Sequence, residues 1–452
     1  MPLILGTNSI KDTGYDVANS CRFDGSSAYF RKTLGTATNS KKYTISMWLK
    51  RGKLGTSQTL ISYYPVGNLY ENIHIDPNDR FYWYHRTAGA TVYSLITNRK
   101  FRDTSAWYHF VISVDSTQST ASDRIKLYIN GVQETSFSTA NYPDQDRNFE
   151  INKANPVDYF RFSDGSAFYD GYVAEFVFID GTAYNQNSFG EFDEDSPTIW
   201  KPKDVSDLTF GNNGFYLDFE DSSNLGNDVN GGTDLTEYNL AATDQATDTC
   251  TNNFATLNSL FATQDSGTIT EGNTIYTASA NAWGGSGSTI GLSQGKWYFE
   301  IQLNNNAGGH FFGVIDETAN VNNNPHQRTG STFFYSAGEM YRDGSSISSG
   351  HGTFGASDIG GVALNLDDNE ITIYKNGSAI VTDFALSTTK NTLFVWVMGY
   401  NSGSDQLKVN FGGSPPFTIS SGNADGNGYG NFEYSPPSNY YSLCTKNLSE
   451  FG

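Results

Sequence analysis

The feature that most constrains this chain is apolar alternation with a period of two, closed repeatedly by a dipeptide suited to tight hairpins. Ile125-Lys126-Leu127-Tyr128-Ile129 places Ile125, Leu127 and Ile129 on one face and runs into Asn130-Gly131. A two-residue type I′ turn needs φ > 0 at both central positions, which Asn and Gly adopt at least cost. Ile371-Thr372-Ile373-Tyr374-Lys375 meets Asn376-Gly377 in the same way, and Ala174-Glu175-Phe176-Val177-Phe178-Ile179 reaches Asp180-Gly181, read as another turn of that kind. Ile45, Met47 and Leu49 share a strand face, as do Tyr108, Phe110, Ile112 and Val114. Thr392 to Met398 is almost continuously apolar and reads as a central strand. Helices are disfavoured, because 46 of 452 residues are Gly, 15% are aromatic and only 17% are charged. The fold class is therefore all-β, with two β-sandwich, jelly-roll-like domains in tandem.

Both halves contain a Trp-Tyr strand, Trp107-Tyr108 and Trp297-Tyr298, and a later strand that ends at Asn-Gly. Segments rich in Pro, Asn, Gly and Asp lie between about 200 and 250, so the domains are drawn as 1–240 and 241–452. Phe215 to Phe219 is assigned as a late strand of the first domain. The tail from Gly422 to Gly452 reads as loop, with Tyr440 to Cys444 able to pair with Asn253 to Leu257. No heptad segment predicts a coiled-coil stalk. Of the net charge of −20, residues 1–205 carry −2 and residues 206–452 carry −18. An acidic surface repels phosphate backbones, so nucleic acid is not an expected partner. Cys21, Cys250 and Cys444 are too few and too odd for a disulfide framework. They read as reduced thiols, with a Cys250–Cys444 bridge as the alternative. The first residues lack a secretory signal, and no run is long and apolar enough to insert in a membrane.

Phe23-Asp24-Gly25-Ser26-Ser27-Ala28-Tyr29-Phe30, Tyr43 to Lys50, Trp107-Tyr108-His109, Leu127 to Gly131 and Gly171 to Phe176 stand in an order and spacing that resemble a laminin-G/concanavalin A-like jelly roll over residues 21–200. Gly295-Lys296-Trp297-Tyr298-Phe299-Glu300, Phe312-Gly313-Val314, Ile359 to Leu364, Ile373 to Gly377 and Val409-Asn410-Phe411-Gly412 resemble a SPRY domain over 270–412. Phe178 to Tyr184, Ser188 to Phe192 and Tyr429 to Pro437 resemble virion proteins of marine tailed bacteriophages. These resemblances imply a fibre, appendage or decoration protein assembled in the host cytoplasm and exposed on the particle surface. Its partners would be other virion proteins and a host-surface glycan, and it would be homo-oligomeric; a purely structural capsid or tail decoration without a host ligand, and a glycan depolymerase, are the alternatives.

Concanavalin-like folds also host glycoside hydrolases, so paired carboxylates matter. Glu191-Phe192-Asp193-Glu194-Asp195 places acids at i, i+2 and i+4, but Asp195 stands where the glucanase pattern has Glu, and the segment reads as a solvated loop. Gly285-Ser286-Gly287-Ser288 reads as a Gly/Ser-rich loop with no helix behind it, so it is no nucleophile elbow. No reaction centre emerges, and an enzyme is not expected. Six His without paired spacing argue against zinc. No cofactor is expected, with calcium the one cation left open: Asp76 and Asp79 in one loop and Asp425 in another offer hard oxygens. Asn, Asp and Gly also build turns without any ion.

The binding signal is aromatic. In Phe81-Tyr82-Trp83-Tyr84-His85-Arg86, alternation turns Phe81 and Trp83 to the core and Tyr82, Tyr84 and Arg86 outward or into a groove. Rings with polar tips suit sugars, whose apolar faces stack while hydroxyls find polar partners; Tyr is also common filler on an exposed sheet. In the second half Trp283, in a Gly-rich loop, and Tyr400, after a core strand, are the corresponding candidates. Trp107, Trp297 and Trp396 read as core.

Overall fold

The computed structural model describes residues 14–65, 67, 69–263, 267–278, 283–304, 309–321, 324–389, 391–400 and 405–452. Its regular secondary structure is nearly all strand, and it divides into two compact units, Thr13–Thr251 and Asn252–Gly452. The division falls later than 240 because the residues after it belong to the first sandwich. Gln245–Ala246 pairs with Ser20–Asp24, and Lys50 binds Asp248 at 2.6 Å with both side chains 1% exposed.

In the first unit, one antiparallel sheet runs in the order Val132–Gln133, Ile125–Ile129, Trp107–Asp115, Lys42–Arg51, Asp170–Asp180, Ser20–Asp24, Gln245–Ala246. Phe215–Leu217 also pairs with Asp170–Asp180, as a late strand should. The facing sheet runs Phe137–Asn141, Ala90–Lys100, Arg80–Thr87, Tyr70–Ile75, Gln58–Tyr63, Pro156–Tyr159, Tyr29–Thr33, Thr236–Tyr238. Ile45, Met47, Leu49, Phe81, Trp83, Phe110, Ile112 and Val114 meet between them in one buried cluster. Asn130 and Gly131 both adopt positive φ, at 47° and 77°, as the hairpin requires. Asp180 does not. Only Gly181 has positive φ there, and the buried Asp180 carboxylate instead accepts N–H groups from Thr38, Asn39, Asn152 and Asn213.

The outer face of the first sheet is covered by the chain that follows it. Trp200 packs with Trp48, Trp107 and Tyr172, while Phe189, Val205 and Phe210 pack on Val111, Val177 and Ile179. Trp107 is therefore buried on the covered outer face and not between the sheets. Trp200 Nε1 donates to His109 Nδ1 at 2.8 Å, which leaves Nε2–H to meet Ser46 Oγ at 2.8 Å. Burial pushes His109 down to about 3, so the imidazole stays neutral. The acidic stretch expected as a loop begins in a short hairpin, Gly190–Phe192 with Trp200–Pro202, that forms part of this cover.

In the second unit, one sheet runs Leu257–Ala262, Trp283–Leu292, Leu393–Tyr400, His310–Asp316, Ser331–Tyr335, Glu339–Arg342, Ser345–Ser349. The other runs Thr268–Thr270, Ile275–Thr277, Gln406–Asn410, Lys296–Leu303, Ile359–Asn365, Glu370–Lys375, Ser378–Ala385. Leu393–Tyr400 is central, and its unbroken apolarity has a cause: Val395 and Val397 face the inter-sheet core, while Phe394, Trp396 and Met398 fill a second buried layer outside. Trp297 lies in the inter-sheet core and Trp396 in that outer layer. The tail is not all loop. Ala255 N bonds Leu443 O, as anticipated from the sequence, and a helix, Thr445–Phe451, then seats Leu448 in the core and stacks Phe451 on Tyr441 at 3.8 Å.

Candidate functional site

The facing sheet of the first unit carries its aromatic side chains outward in register. Tyr70, Asn72 and His74 stand opposite Arg86, Tyr84 and Tyr82, so three cross-strand pairs lie side by side on one face. Ser94 pairs with Tyr84 on one flank and Ser62 with Asn72 on the other. Tyr82, Tyr84 and Arg86, the residues singled out by alternation, are thus brought together on an outer face, while Trp83 behind them is fully buried.

The rings hold one another. Tyr82 and Tyr84 are 4.8 Å apart, His74 lies 4.8 Å from Tyr82, and Tyr70 meets Tyr84 edge-on at 5.6 Å. Phe162 and Tyr64 extend the patch, stacked at 5.6 Å. Arg86 Nη1 donates to Tyr70 Oη at 2.7 Å, and Asn72 Nδ2 donates to Tyr84 Oη at 3.3 Å. Asn72 Oδ1 and Arg86 Nε are buried among the rings without a hydrogen-bond partner. Asn72 and His74 are only 4% and 5% exposed. Burial pushes His74 down to about 4, so at neutral pH its ring is uncharged. The arrangement can stack an apolar ring face and offer an acceptor, an imidazole and a guanidinium to hydroxyl or anionic groups.

Tyr70, Asn72 and His74 went unread in the sequence. Tyr70-Glu71-Asn72-Ile73-His74-Ile75 does alternate, but only pairing with Arg80–Thr87 reveals that its polar positions share the tyrosine face.

In the second unit Trp283 and Tyr400 are cross-strand partners, with rings 5.0 Å apart. Trp283 does not sit in a loop. It opens the strand Trp283–Leu292, whose glycines are demanded by packing. A Cβ at Gly285 would lie 2.6 Å from Trp396 Nε1, and one at Gly287 would lie 2.5 Å from Phe261 Cδ1. His326 lies 5.1 Å from Trp283, and Phe311 stacks on His326 at 4.4 Å and on Tyr335 at 4.5 Å. Trp283 and Tyr400 are half-buried at the margin of this cluster.

The acidic candidates are engaged in structure. Asp76 Oδ2 accepts Arg80 Nη2 at 2.7 Å and its Oδ1 accepts two backbone N–H groups; these bonds outweigh burial and hold the carboxyl below the usual range. Asp79 binds Arg51 at 3.0 Å and Arg102 at 2.8 Å. Asp425 accepts from Asn427 N and Tyr429 N at one oxygen and from Ser442 N, Ser442 Oγ and Asn447 Nδ2 at the other. Among the described residues, no three His, Cys, Asp or Glu side chains converge in a metal-holding group. Glu191 faces Lys201 and Lys203, and Asp193 binds Lys201 at 3.2 Å while capping Asp195 N and Ser196 N. The three cysteines are free thiols.

Residues 24–186 match the family model described as the concanavalin A-like lectin/glucanases superfamily, and residues 296–414 match the SPRY domain. No curated protein matched the chain. Among solved structures, the SPRY domain of human HERC1 is 21% identical over 30% of this chain and 87% of its own length, with a TM-score of 0.26. The PSpry domain of TRIM65 is 12% identical over 35% of this chain and 92% of its own, with a TM-score of 0.28.

Proposed function

Because this chain carries a concanavalin A-like domain followed by a SPRY domain, we propose that it is a non-enzymatic binding protein of a tailed-bacteriophage virion, and that the tyrosine-bearing face of its first domain takes host-surface carbohydrate. The virion assignment is supported by the resemblance of Phe178 to Tyr184 and Tyr429 to Pro437 to phage structural proteins. One observation carries the carbohydrate reading. The Tyr70, Tyr82 and Tyr84 rings share a sheet face with the Arg86 guanidinium, whose polar partner is the neutral Tyr70 hydroxyl. Sugar recognition needs both, a flat apolar surface and directional polar groups between the rings. The absence of catalysis is supported by the lysine partners of Glu191 and Asp193, the least poor acid pair.

A glycan array probed with the full chain tests this. Retention of a glycan class by the wild type, lost in Tyr84→Ala and Tyr82→Ala, is the expected result. Unchanged retention by both variants would overturn the site, and release of reducing ends from the retained glycan would overturn the non-enzymatic reading. Labelling the protein on intact particles checks the virion assignment; particles that carry no label would defeat it.

A further inference from the structure

The charge on the tyrosine-bearing face of the first domain differs from that of the chain as a whole. The chain carries −20, yet one row across this face runs Ser94, Tyr84, Asn72, Ser62, Asp158, Arg31, each residue paired with the next, with Ser62 and Asp158 buried where Arg161 to Ser163 bond over Ser62. Asp158 is the acid of that row, and two guanidiniums hold it: Arg31 Nη2 at 2.9 Å and Arg161 Nε at 3.0 Å. Arg161 lies 3.7 Å over the Tyr29 ring, which stacks on Tyr238 at 4.3 Å. Arg80, on the same strand as Tyr82, is neutralised by Asp76. Arg86 is different: its polar partner is the neutral Tyr70 hydroxyl, and Nε–H finds no acceptor. The row and its flanks thus hold one positive charge beyond the Asp158 pair and a second at Arg86.

A guanidinium beside aromatic rings, its fork not taken up by a carboxylate of its own chain, is suited to a planar or tetrahedral oxyanion. The two arginine–aromatic groups sit on strands four gaps apart, roughly 19 Å at the usual inter-strand spacing. That distance suits an anion repeated along a polymer better than a single sugar. We infer that this outer face binds an acidic oligosaccharide, with Arg86 receiving one carboxylate or sulfate group beside a sugar ring that rests on Tyr82 and Tyr84, and with Arg31 and Arg161 lying near a second where the oligomer crosses Tyr70 and Phe162. This rests on the carbohydrate reading above and names the class of sugar.

The test is titration calorimetry with the full chain and four probes: an oligogalacturonate, its methyl ester, a sulfated oligosaccharide and a neutral oligomer. The expected result is that one charged probe binds at least tenfold tighter than the methyl ester, with the advantage shrinking at high salt. Arg86→Gln should bring the charged probe close to the methyl ester without lowering the unfolding midpoint, whereas Tyr84→Ala should weaken both. Preference for the oligogalacturonate identifies the anion as a carboxylate, and preference for the sulfated probe identifies it as a sulfate ester. Equal binding of free acid, ester, sulfated and neutral oligomers would overturn the inference and leave the carbohydrate reading standing. Binding of none of them, together with an empty glycan array, would overturn both.

Discussion

Glu175 offers a quantitative test of how the first sandwich tolerates an acid inside its covered face. It lies in a bulge where Glu175 and Phe176 stand between the pairs Ala174–Trp48 and Val177–Ser46, and it adopts φ of 50°. The side chain is buried and accepts Tyr216 Oη at 2.7 Å. Burial, with Asp218 adding to it, carries the carboxyl from an ordinary 4.5 up to about 8. A raised pKa means that the folded chain holds the proton more tightly than the unfolded chain. The resulting stability is fully present below about pH 4.5 and is lost as pH rises through about 8. At about 1.4 kcal/mol per unit, the whole interval amounts to roughly 5 kcal/mol. Glu175→Gln keeps the acceptor for Tyr216 but cannot titrate. Relative to wild type, the variant should therefore gain about 1.4 kcal/mol per pH unit between roughly pH 5 and 8, and level off above that. Urea unfolding of the first domain, followed by tryptophan fluorescence in steps of pH, measures this. Glu71, a buried acid pushed up to about 7, has the same sign but is present in both proteins and cancels in the difference. A variant whose advantage stays constant from pH 5 to 8 would refute the reasoning, since the acid would then titrate as if solvated.

Other expectations follow from single contacts. Asp248→Asn removes the carboxylate 2.6 Å from the Lys50 ammonium, 1% exposed, and urea unfolding should show a loss of about 3–5 kcal/mol. Gly131→Ala combines a φ of 77° with a Cβ 2.2 Å from Trp200 Cε3, whereas Gly89→Ala at φ of 82° meets nothing within 4 Å. Gly89→Ala should cost about 1–2 kcal/mol from backbone strain alone, and Gly131→Ala clearly more, with a change in Trp200 emission. Glu300 accepts Glu433 N at 2.9 Å and Tyr434 N at 2.8 Å, so Glu300→Gln turns donors toward donors at one oxygen. That should cost about 1–3 kcal/mol and speed proteolytic cleavage near Tyr434, read by gel and mass analysis.

Local rules carried far. Tyr82, Tyr84 and Arg86 were placed outward because alternation is a property of the strand itself, and Asn130-Gly131 announced its turn by φ alone. What failed were residues whose role is set at long range. Gly285 and Gly287 read as loop by composition, yet they stand in a strand because Trp396 and Phe261 occupy the space of a side chain. Asp180-Gly181 has the letters of a hairpin, but Asp180 is claimed by Thr38, Asn39, Asn152 and Asn213 from elsewhere in the sequence. Asn72 and His74 gain meaning only from a register with the tyrosine strand that no local pattern encodes. The aspartates proposed for calcium were judged by residue type; Arg51, Arg80 and Arg102 decide what Asp76 and Asp79 do.

Each sandwich starts and finishes at one spot: Ser20 lies against Ala246 and Val17 N bonds Thr251 Oγ1, while Ala255 N bonds Leu443 O in the second unit. A tensile load drawn along the backbone would meet these bonds one after another, as a zipper is opened, and not all together in shear. The terminal strands would peel at low force while the rest of the sandwich stayed unloaded. Such a module can yield a few residues of slack at either end before its ring-bearing sheet feels the pull.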